Sequence, residues 1–270
     1  MTVQDLITGV LTGRYGPPPS SLKATSVFWL HHGTRLAGGD TTYLNQYLLV
    51  RCGESFGACA FEDGEVAPGL CREASGNSLQ ELLTEGPRAL RIAALDAYLA
   101  HVQPHRTDPR AERVPLPTGT PEVRARARDA AVAELLAVEP GARVGLIGVV
   151  NPLVAAIRDV GGVCLPCDFT LRTTQWGDPV ASSMDDVLED ADAVVATGMT
   201  LGNGTFDRIL HRCRNRGLPL IVYAQTGSAV ARAFLGRGIT ALSAEPFPFS
   251  QFTAETSPLY RYRHSDEGAA

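Results

Sequence analysis

The sequence predicts an α/β protein in which a small N-terminal α+β domain is followed by a Rossmann-like domain with a mostly parallel sheet. From Gly141 onward, apolar runs of strand length alternate with helical segments. Strands that are apolar on both faces and are each followed by a helix are typical of a parallel sheet covered by helices on both sides. Between Thr25 and Glu65, short aromatic and aliphatic runs are separated by glycines, a pattern that favours an antiparallel meander.

Helices are predicted on both sides of this meander. An apolar stripe marks the first helix, and Gly16 with the three prolines after it ends that segment. Ser78 and Glu81 form a capping-box pattern, and Pro87 opens a further helix. The predicted strands of this half span 26–30, 43–50 and 55–62, and the predicted helices span 1–12, 79–84 and 88–101.

A change in composition divides the chain into two predicted domains. Residues 103–120 hold four prolines and a glycine among charged residues, which is typical of a linker or a surface excursion. We therefore predict an N-terminal domain over 1–102, a linker over 103–120 and a Rossmann-like domain over 121–270.

The second domain is predicted to begin with a helix and then to alternate strictly between strands and helices. Thr120 is the expected N-cap of the first helix, which spans 121–138 and turns apolar residues such as Val132 and Leu135 inward. The predicted strands are 144–149, 163–167, 193–197, 219–223 and 239–242, and the later helices are 152–160, 183–188, 206–214 and 229–235.

Composition excludes several classes of function. The formal net charge is −5 and the 24 basic residues form no extended patch, so we expect no nucleic-acid partner. The longest apolar runs are far shorter than the roughly 20 residues of a membrane span, and no signal-peptide pattern opens the chain. We therefore expect a cytoplasmic protein without a membrane partner.

The cysteines do not form a disulfide scaffold or a zinc motif. Cys164 and Cys167 make a single C-x-x-C pair, but it ends a predicted strand, whereas a redox pair opens a helix. No second C-x-x-C completes a zinc site. Packing is therefore the favoured interpretation of the pair, with a redox or metal role as the alternative.

Ligands of open parallel sheets bind beyond the carboxyl ends of the strands, so the residues that follow each strand are the candidates for a site. Gly148 and Asn151 follow the first predicted strand, without the G-x-G-x-x-G of dinucleotide-binding domains. NAD bound in the usual way is therefore not expected. Asp168 follows the second strand, where nucleotide-binding domains place a ribose-binding acid; it could equally ligate a metal or cap a turn.

The stretch after the third strand is the most distinctive in the chain. Residues 197–205 combine glycines and threonines ahead of a helix, which suits an anionic ligand. The alternative is a tight turn in which Thr205 caps the next helix. Gln225 and Thr226 repeat the pattern after the fourth strand. The ligand-binding candidates are Gly148, Asn151, Asp168, Thr197, Gly198, Asn203, Gly204, Thr205, Gln225 and Thr226.

These residues resemble a known family. The strand Val144–Gly148, the stretch from Thr197 to Thr205 and the segment Arg91–Ala97 are similar to the putative heavy-metal chelation family of two-domain proteins. The resemblance implies an enolase N-terminal-like domain, then a Rossmann-like domain, with the site in the cleft between them. The chain departs from the family pattern at Asp96, where asparagine is usual, and at Gln225–Gly227.

Three kinds of function remain open from the sequence. The first is a protein that binds a small ligand or a metal complex in the interdomain cleft, in line with heavy-metal chelation. The second is an enzyme, a lyase or transferase acting on a nucleotide-like or amino-acid-like molecule such as S-adenosylmethionine, with Asp96 and Asp168 as its catalytic candidates. The third is an interaction role through a homodimer. The candidate cofactors are a divalent metal ion or S-adenosylmethionine, and no metal ligands are assigned.

Overall fold

Two β-sheets organise the chain in the computed structural model, which describes residues 1–35 and 42–264. The first sheet is antiparallel, in the order β1-β2-β3. Four helices accompany it, and the longest, α4, packs along β3 and β2. The elements of this half are α1 (Val3–Leu11), β1 (Ser26–Arg35), β2 (Thr42–Cys52), β3 (Ser55–Phe61), α2 (Leu70–Ala74), α3 (Leu79–Glu85) and α4 (Arg88–Val102).

Seven strands form the second sheet, in the order β4-β10-β9-β8-β7-β5-β6. The five strands from β9 to β6 are parallel, while β10 runs antiparallel to both of its neighbours. The strands are β4 (Glu112–Leu116), β5 (Arg143–Ile147), β6 (Val163–Cys167), β7 (Ala193–Thr197), β8 (Leu220–Ala224), β9 (Ala241–Ala244) and β10 (Ser257–Arg263).

Helices separate the strands of this sheet, as the alternating pattern predicts. They are α5 (Pro121–Ala133), α6 (Asn151–Asp159), α7 (Met184–Asp190), α8 (Met199–Gly202), α9 (Phe206–Arg216) and α10 (Ser228–Arg232). The α/β class with a mostly parallel sheet is therefore confirmed. From β5 the chain first moves outward to β6 and then crosses back to β7 on the other side. The carboxyl ends of β5 and β7 therefore flank a topological switch point, where such sheets leave a crevice.

The structure also contains elements that the sequence analysis does not predict. The segment 103–120, predicted as a linker, includes β4, which is an edge strand. Its Pro115 fits that position, because proline cannot donate to a central ladder. β10 lies in a stretch assigned no element, and its Leu259 and Tyr262 are buried. The helix predicted over 121–138 ends at Ala133.

The two sheets share one hydrophobic core. Buried residues of α1 and α4 belong to the same cluster as residues of α9, α10 and β8. Arg124 on α5 is also fully buried, and its guanidinium donates to Ser250 O at 3.1 Å and to the carbonyls of Pro117 and Glu255. These bonds tie α5 to the segments on either side of it. Within 1–35 and 42–264, no helix reaches the length and apolar character of a membrane span.

Candidate functional site

Three adjacent strands converge at the carboxyl edge of the parallel sheet. Gly148 follows β5 with a φ of +87°, and a Cβ at this position would lie 2.3 Å from Thr197 Cγ2 at the end of β7. The Tyr223 hydroxyl on β8 donates to Gly148 O at 3.1 Å. Burial raises the pKa of Tyr223, so its phenol stays protonated as a donor. Gly148 and Thr197, both predicted as ligand residues, are thus neighbours at the switch point.

A charged pair on α5 interacts electrostatically with Tyr223 of this edge. The Arg128 side chain is 14% exposed, and its Nε donates to Asp129 Oδ1 at 2.8 Å. Asp129 is 2% exposed. Burial opposes the charge on Arg128, but Asp129, Glu245 and Tyr223 outweigh it and raise the pKa of the guanidinium, so Arg128 remains a cation. Arg128 is therefore a partly exposed cation whose charge interacts with Tyr223.

The sequence analysis misses Arg128, although a signal for it exists. Arg124, Arg128 and Val132 recur at a spacing of four on α5, so they share one face of the helix. Arg124 and Val132 are fully buried. An arginine between two inward-facing positions is therefore a candidate for a buried, functional charge.

An amide and carboxylate network extends the polar edge to the ends of β8 and β9. Gln225 Nε2 donates to Glu245 Oε2 and to Gln251 Oε1, both at 2.8 Å. Glu245 also accepts from the backbone N–H of Ser250. Burial raises the pKa of Tyr47 on β2 to about 12, and the charges of Arg128 and Glu245 act on it as well. Tyr47 thus brings the first sheet to the same polar region, and the predicted ligand residue Gln225 already has protein partners there.

Asp168 and Asn151 hold loops together. Asp168 Oδ2 accepts from Val149 N at 3.1 Å, and Oδ1 accepts from Thr170 N at 2.9 Å. Asn151 Oδ1 accepts from Gln175 N at 3.1 Å. Both side chains therefore fasten the loop after β6 to the turn after β5, beside the switch point. The catalytic and ligand-binding roles predicted for them stay predictions.

The stretch 197–205 is not an open loop, because its middle forms α8 and packs against β3. A Cβ on Gly202 would lie 2.2 Å from Ala60 O, so only glycine allows this approach of helix to strand. Asn203 Oδ1 accepts from Thr205 N at 3.1 Å and from the Thr205 hydroxyl at 2.7 Å. Asn203 and Thr205 therefore close a turn of their own.

Two further predicted ligand glycines also lie against protein atoms. A Cβ on Gly198 would lie 2.2 Å from the carbonyl oxygen of Thr226, so these two predicted ligand residues contact each other. Gly204, with a φ of +82°, lies beneath the guanidinium of Arg88. The small residues of this region thus serve close packing between the ends of β7 and β8 and between the two sheets.

Asp96 joins the two sheets through three backbone N–H groups. Its side chain, on α4, is 2% exposed and accepts from Ala58 N on β3 at 2.9 Å. It also accepts from Ala229 N at 2.8 Å and from Val230 N at 3.2 Å, both at the start of α10. The carboxylate therefore takes the donors that a ligand would use at this helix end. The position favours a structural role, and catalysis by Asp96 stays an untested prediction.

A second buried polar group, centred on His105, adjoins α10. His105 Nδ1 lies 2.7 Å from the Tyr262 hydroxyl, and Nε2 lies 3.3 Å from Ser228 Oγ. A serine that opens a helix after a strand and contacts a histidine resembles part of a hydrolase site. Ser228 is buried, however, and the N–H of Ala229 is bound to Asp96. The pair therefore lacks the free oxyanion donor that acyl transfer requires.

Asp96 and His105 are expected to change the free energy of unfolding in opposite directions as the pH falls. Burial, reinforced by Arg232, lowers the pKa of His105 to about 3, whereas burial raises that of Asp96 to about 6. Below pH 6.5 the unfolded chain gains a proton on His105 that the folded state does not take up, so this group lowers stability by about 1.4 kcal/mol per pH unit. From pH 6 downward the folded state binds a proton at Asp96 first, which raises stability until the unfolded carboxyl titrates.

We therefore expect His105→Gln to change the pH profile of unfolding. As the pH falls from 6.5 to 4.5, the variant should gain about 1.4 kcal/mol per pH unit relative to the parent, because only the parent loses the His105 contribution. Urea unfolding at pH 7.0, 5.5 and 4.5 measures the difference, and the contribution of Asp96 cancels in the comparison. Parallel profiles for the two proteins would show that His105 is protonated in the folded state.

The described residues do not fit a metal site built from protein ligands alone. Cys164 and Cys167 lie in different core clusters, on opposite faces of the sheet. Burial raises the pKa of Cys164 to about 12 and that of Cys167 to about 11, so neither is a ready thiolate ligand. In the parts of the chain that the structure covers, no three His, Cys, Asp or Glu side chains group closely enough to hold a metal ion.

Comparison with known proteins gives a family and a fold. Residues 131–244 match the model of a family described as "Putative heavy-metal chelation" (DUF364). A family member of unknown function from Desulfitobacterium hafniense is similar over 97% of this chain and 96% of its own, with 15% identity and a TM-score of 0.63. Another, from Pyrococcus horikoshii, is similar over 98% and 100%, with 14% identity and a TM-score of 0.56. No curated protein matches the chain. The resemblance is thereby confirmed, and at this identity the two structures show the fold alone.

Proposed function

Residues 131–244 carry the domain of the heavy-metal chelation family, and from this premise we propose that the protein binds a small anionic molecule at the carboxyl edge of its parallel sheet. The site is the crevice at the switch point between β5 and β7, defined by Gly148, Thr197, Tyr223 and Arg128. The observation that carries the proposal is Arg128, a cation whose side chain is 14% exposed and whose charge interacts with Tyr223 on β8.

Burial of most of the Arg128 side chain is expected to lower the stability of the folded state, because a charge loses hydration there. A buried ion pair rarely stabilises a protein more than apolar residues of the same volume would. Its neighbour Asp129 accepts from Nε and Nη2 of the guanidinium, so Nη1 is the group left for a ligand, and the charge interacts with the Tyr223 phenol. A hydrogen bond from a charged donor to a carboxylate or phosphate is about twice as strong as one between neutral groups. An anionic ligand at the sheet edge would therefore contact the Arg128 guanidinium, which Asp129 already holds in position.

A metal ion is compatible with this site only as part of an anionic complex. The described side chains offer no cluster of three metal ligands, so the metal would be held by its own organic ligand. The protein would then recognise the carboxylate or phosphate groups of that ligand through Arg128. Binding of a metal that is already chelated would agree with the family's description, and it would not require a metal centre built from protein ligands alone.

The enzyme hypothesis receives less support from the geometry. Both oxygens of Asp168 accept backbone N–H groups, and the Asp96 carboxylate is enclosed between β3 and α10. Asp168 lies beside the switch point, but its oxygens are engaged by backbone donors, as are those of Asp96. S-adenosylmethionine carries a net positive charge at pH 7, so its binding would favour the enzyme hypothesis and not the anion site.

Substitution of Arg128 should weaken ligand binding. We expect that citrate or AMP binds the intact chain saturably by calorimetry, and that Arg128→Met weakens this binding 10- to 100-fold, since a charge-assisted hydrogen bond contributes about 1.5–3 kcal/mol. Arg126→Met, on the exposed face of the same helix, is the matched control and should leave the affinity unchanged. Failure of both anions to bind, or equal affinities for the two variants, would contradict the proposal.

A further inference from the structure

A cavity that shares no lining residue with the sheet-edge site lies between α1 and the turn that follows α10. It is an open depression of about 560 Å³. The N-terminal half contributes α1 and the residues after it, and the C-terminal half contributes Arg237. The lining residues are Met1, Asp5, Thr8, Gly9, Thr12, Arg14 and Arg237. None of them belongs to the candidate site of the sheet edge.

Two arginines line this depression without a carboxylate partner. Among the residues that the structure describes, neither Arg14 nor Arg237 forms an ion pair, and both are exposed. Arg237 Nη1 contacts Met1 Sδ at 3.0 Å, which does not neutralise it. The one acidic lining residue is Asp5, whose Oδ2 accepts from Thr2 N at 2.7 Å as part of the α1 cap. The Asp5 carboxylate also lies 4.0 Å from the Met1 amino group, so the two guanidinium groups of the depression keep no carboxylate of their own.

The local sequence holds one of these arginines along the helix. A Cβ on Gly9 would lie 2.7 Å from the Tyr15 ring and 3.7 Å from Arg14 Cδ. The absence of a side chain at Gly9 thus lets the Tyr15 ring lie against α1, and the stem of Arg14 passes the same point at an ordinary contact distance. Thr8 and Thr12 donate their hydroxyl protons to carbonyls of the same helix, so the donors facing the depression are mainly the two guanidinium groups.

We propose that this depression binds a small molecule through its phosphate group, with Arg14 and Arg237 as the two recognising residues. Guanidinium groups match phosphate oxygens in paired hydrogen bonds better than they match any neutral group. The volume falls in the range of about 300–1,000 Å³ that small-molecule sites occupy. Because the two arginines come from the two halves of the chain, a bound phosphate would link α1 to the turn before β9.

Titration of the full chain with pyrophosphate tests the proposal, with calorimetry as the readout. We expect saturable binding that Arg14→Gln and Arg237→Gln each weaken at least 10-fold. Arg72→Gln, an exposed arginine on α2, is the control and should leave the affinity unchanged. The melting temperature of the parent should also rise with pyrophosphate concentration, because a ligand that binds only the folded state stabilises it.

Three results would overturn the proposal. They are the absence of saturable pyrophosphate binding, equal weakening by Arg72→Gln, and equally tight binding of citrate at the same arginines, which would indicate attraction of any polyanion. Arg128→Met distinguishes this site from the sheet edge, since it should weaken only pyrophosphate binding at the sheet edge and leave intact the binding that depends on Arg14 and Arg237. The two proposals can therefore fail independently.

Discussion

Replacing Asp96 by alanine is expected to lower the free energy of unfolding by about 4 kcal/mol at pH 7, because it leaves buried backbone donors without acceptors. Ala58 N, Ala229 N and Val230 N all donate to this carboxylate. Two of these donors belong to α10 and one to β3, so the loss falls on the contact between the two sheets. Urea unfolding followed by circular dichroism measures the effect.

Two further variants accompany Asp96→Ala: Asp96→Asn as the conservative substitution and Asp186→Ala as the control on the surface. Asparagine keeps the shape but presents an amide NH₂ group to at least one N–H donor, so Asp96→Asn should lose less than alanine and more than 1 kcal/mol. Asp186 is exposed on α7, and its removal should change stability by less than about 0.5 kcal/mol. A loss below 1 kcal/mol in Asp96→Ala would show that water reaches these donors and that a cleft opens between the sheets.

Gly202→Ala is expected to destabilise the protein by about 3 kcal/mol through overpacking. The added Cβ would lie 2.2 Å from Ala60 O and 3.0 Å from Cys59 Sγ. Because the first of these atoms belongs to the backbone of β3, either α8 or the strand must move. The same measurement of unfolding by urea applies, with amide hydrogen exchange to locate the strain at β3 and α8.

Gly33→Ala is the matched control for this substitution. Gly33 also lies in regular structure without a positive φ, and a Cβ there would meet only Leu44 Cδ1, at 4.0 Å. Its replacement should change stability by less than about 0.5 kcal/mol. If Gly202→Ala lowered the free energy of unfolding no more than Gly33→Ala does, that result would contradict the close contact between α8 and β3.

The regular elements of the fold were accessible from the sequence because their signals are local. Strands such as β6 and β7 have the predicted bounds, and the capping box of Ser78 and Glu81 is present. The missed strands β4 and β10 depend on each other for pairing, with prolines at Pro115 and Pro258 that weaken the strand pattern. Pairing between strands so far apart in the sequence cannot be recognised from the pattern of neighbouring residues.

The candidate site was only partly accessible, for a related reason. The rule that parallel sheets bind ligands at their carboxyl ends leads directly to Gly148 and Thr197. The same rule also leads to the stretch around Gly202, but that stretch packs against β3. The rule fails there because local composition does not show how the two halves of the chain pack together. Arg128 is missed in turn, since a charged residue on a helix is normally assigned to the surface.

Mapping of a bound ligand by amide NMR tests the central proposal most directly. On titration of the ¹⁵N-labelled chain with citrate or AMP, we expect the largest shift changes at the amides of Gly148, Thr197 and Tyr223, and we expect Arg128→Met to reduce them. Largest changes at Ala58, Ala229 and Gly202, with those of the sheet edge unaffected, would contradict it and locate the ligand between the two sheets.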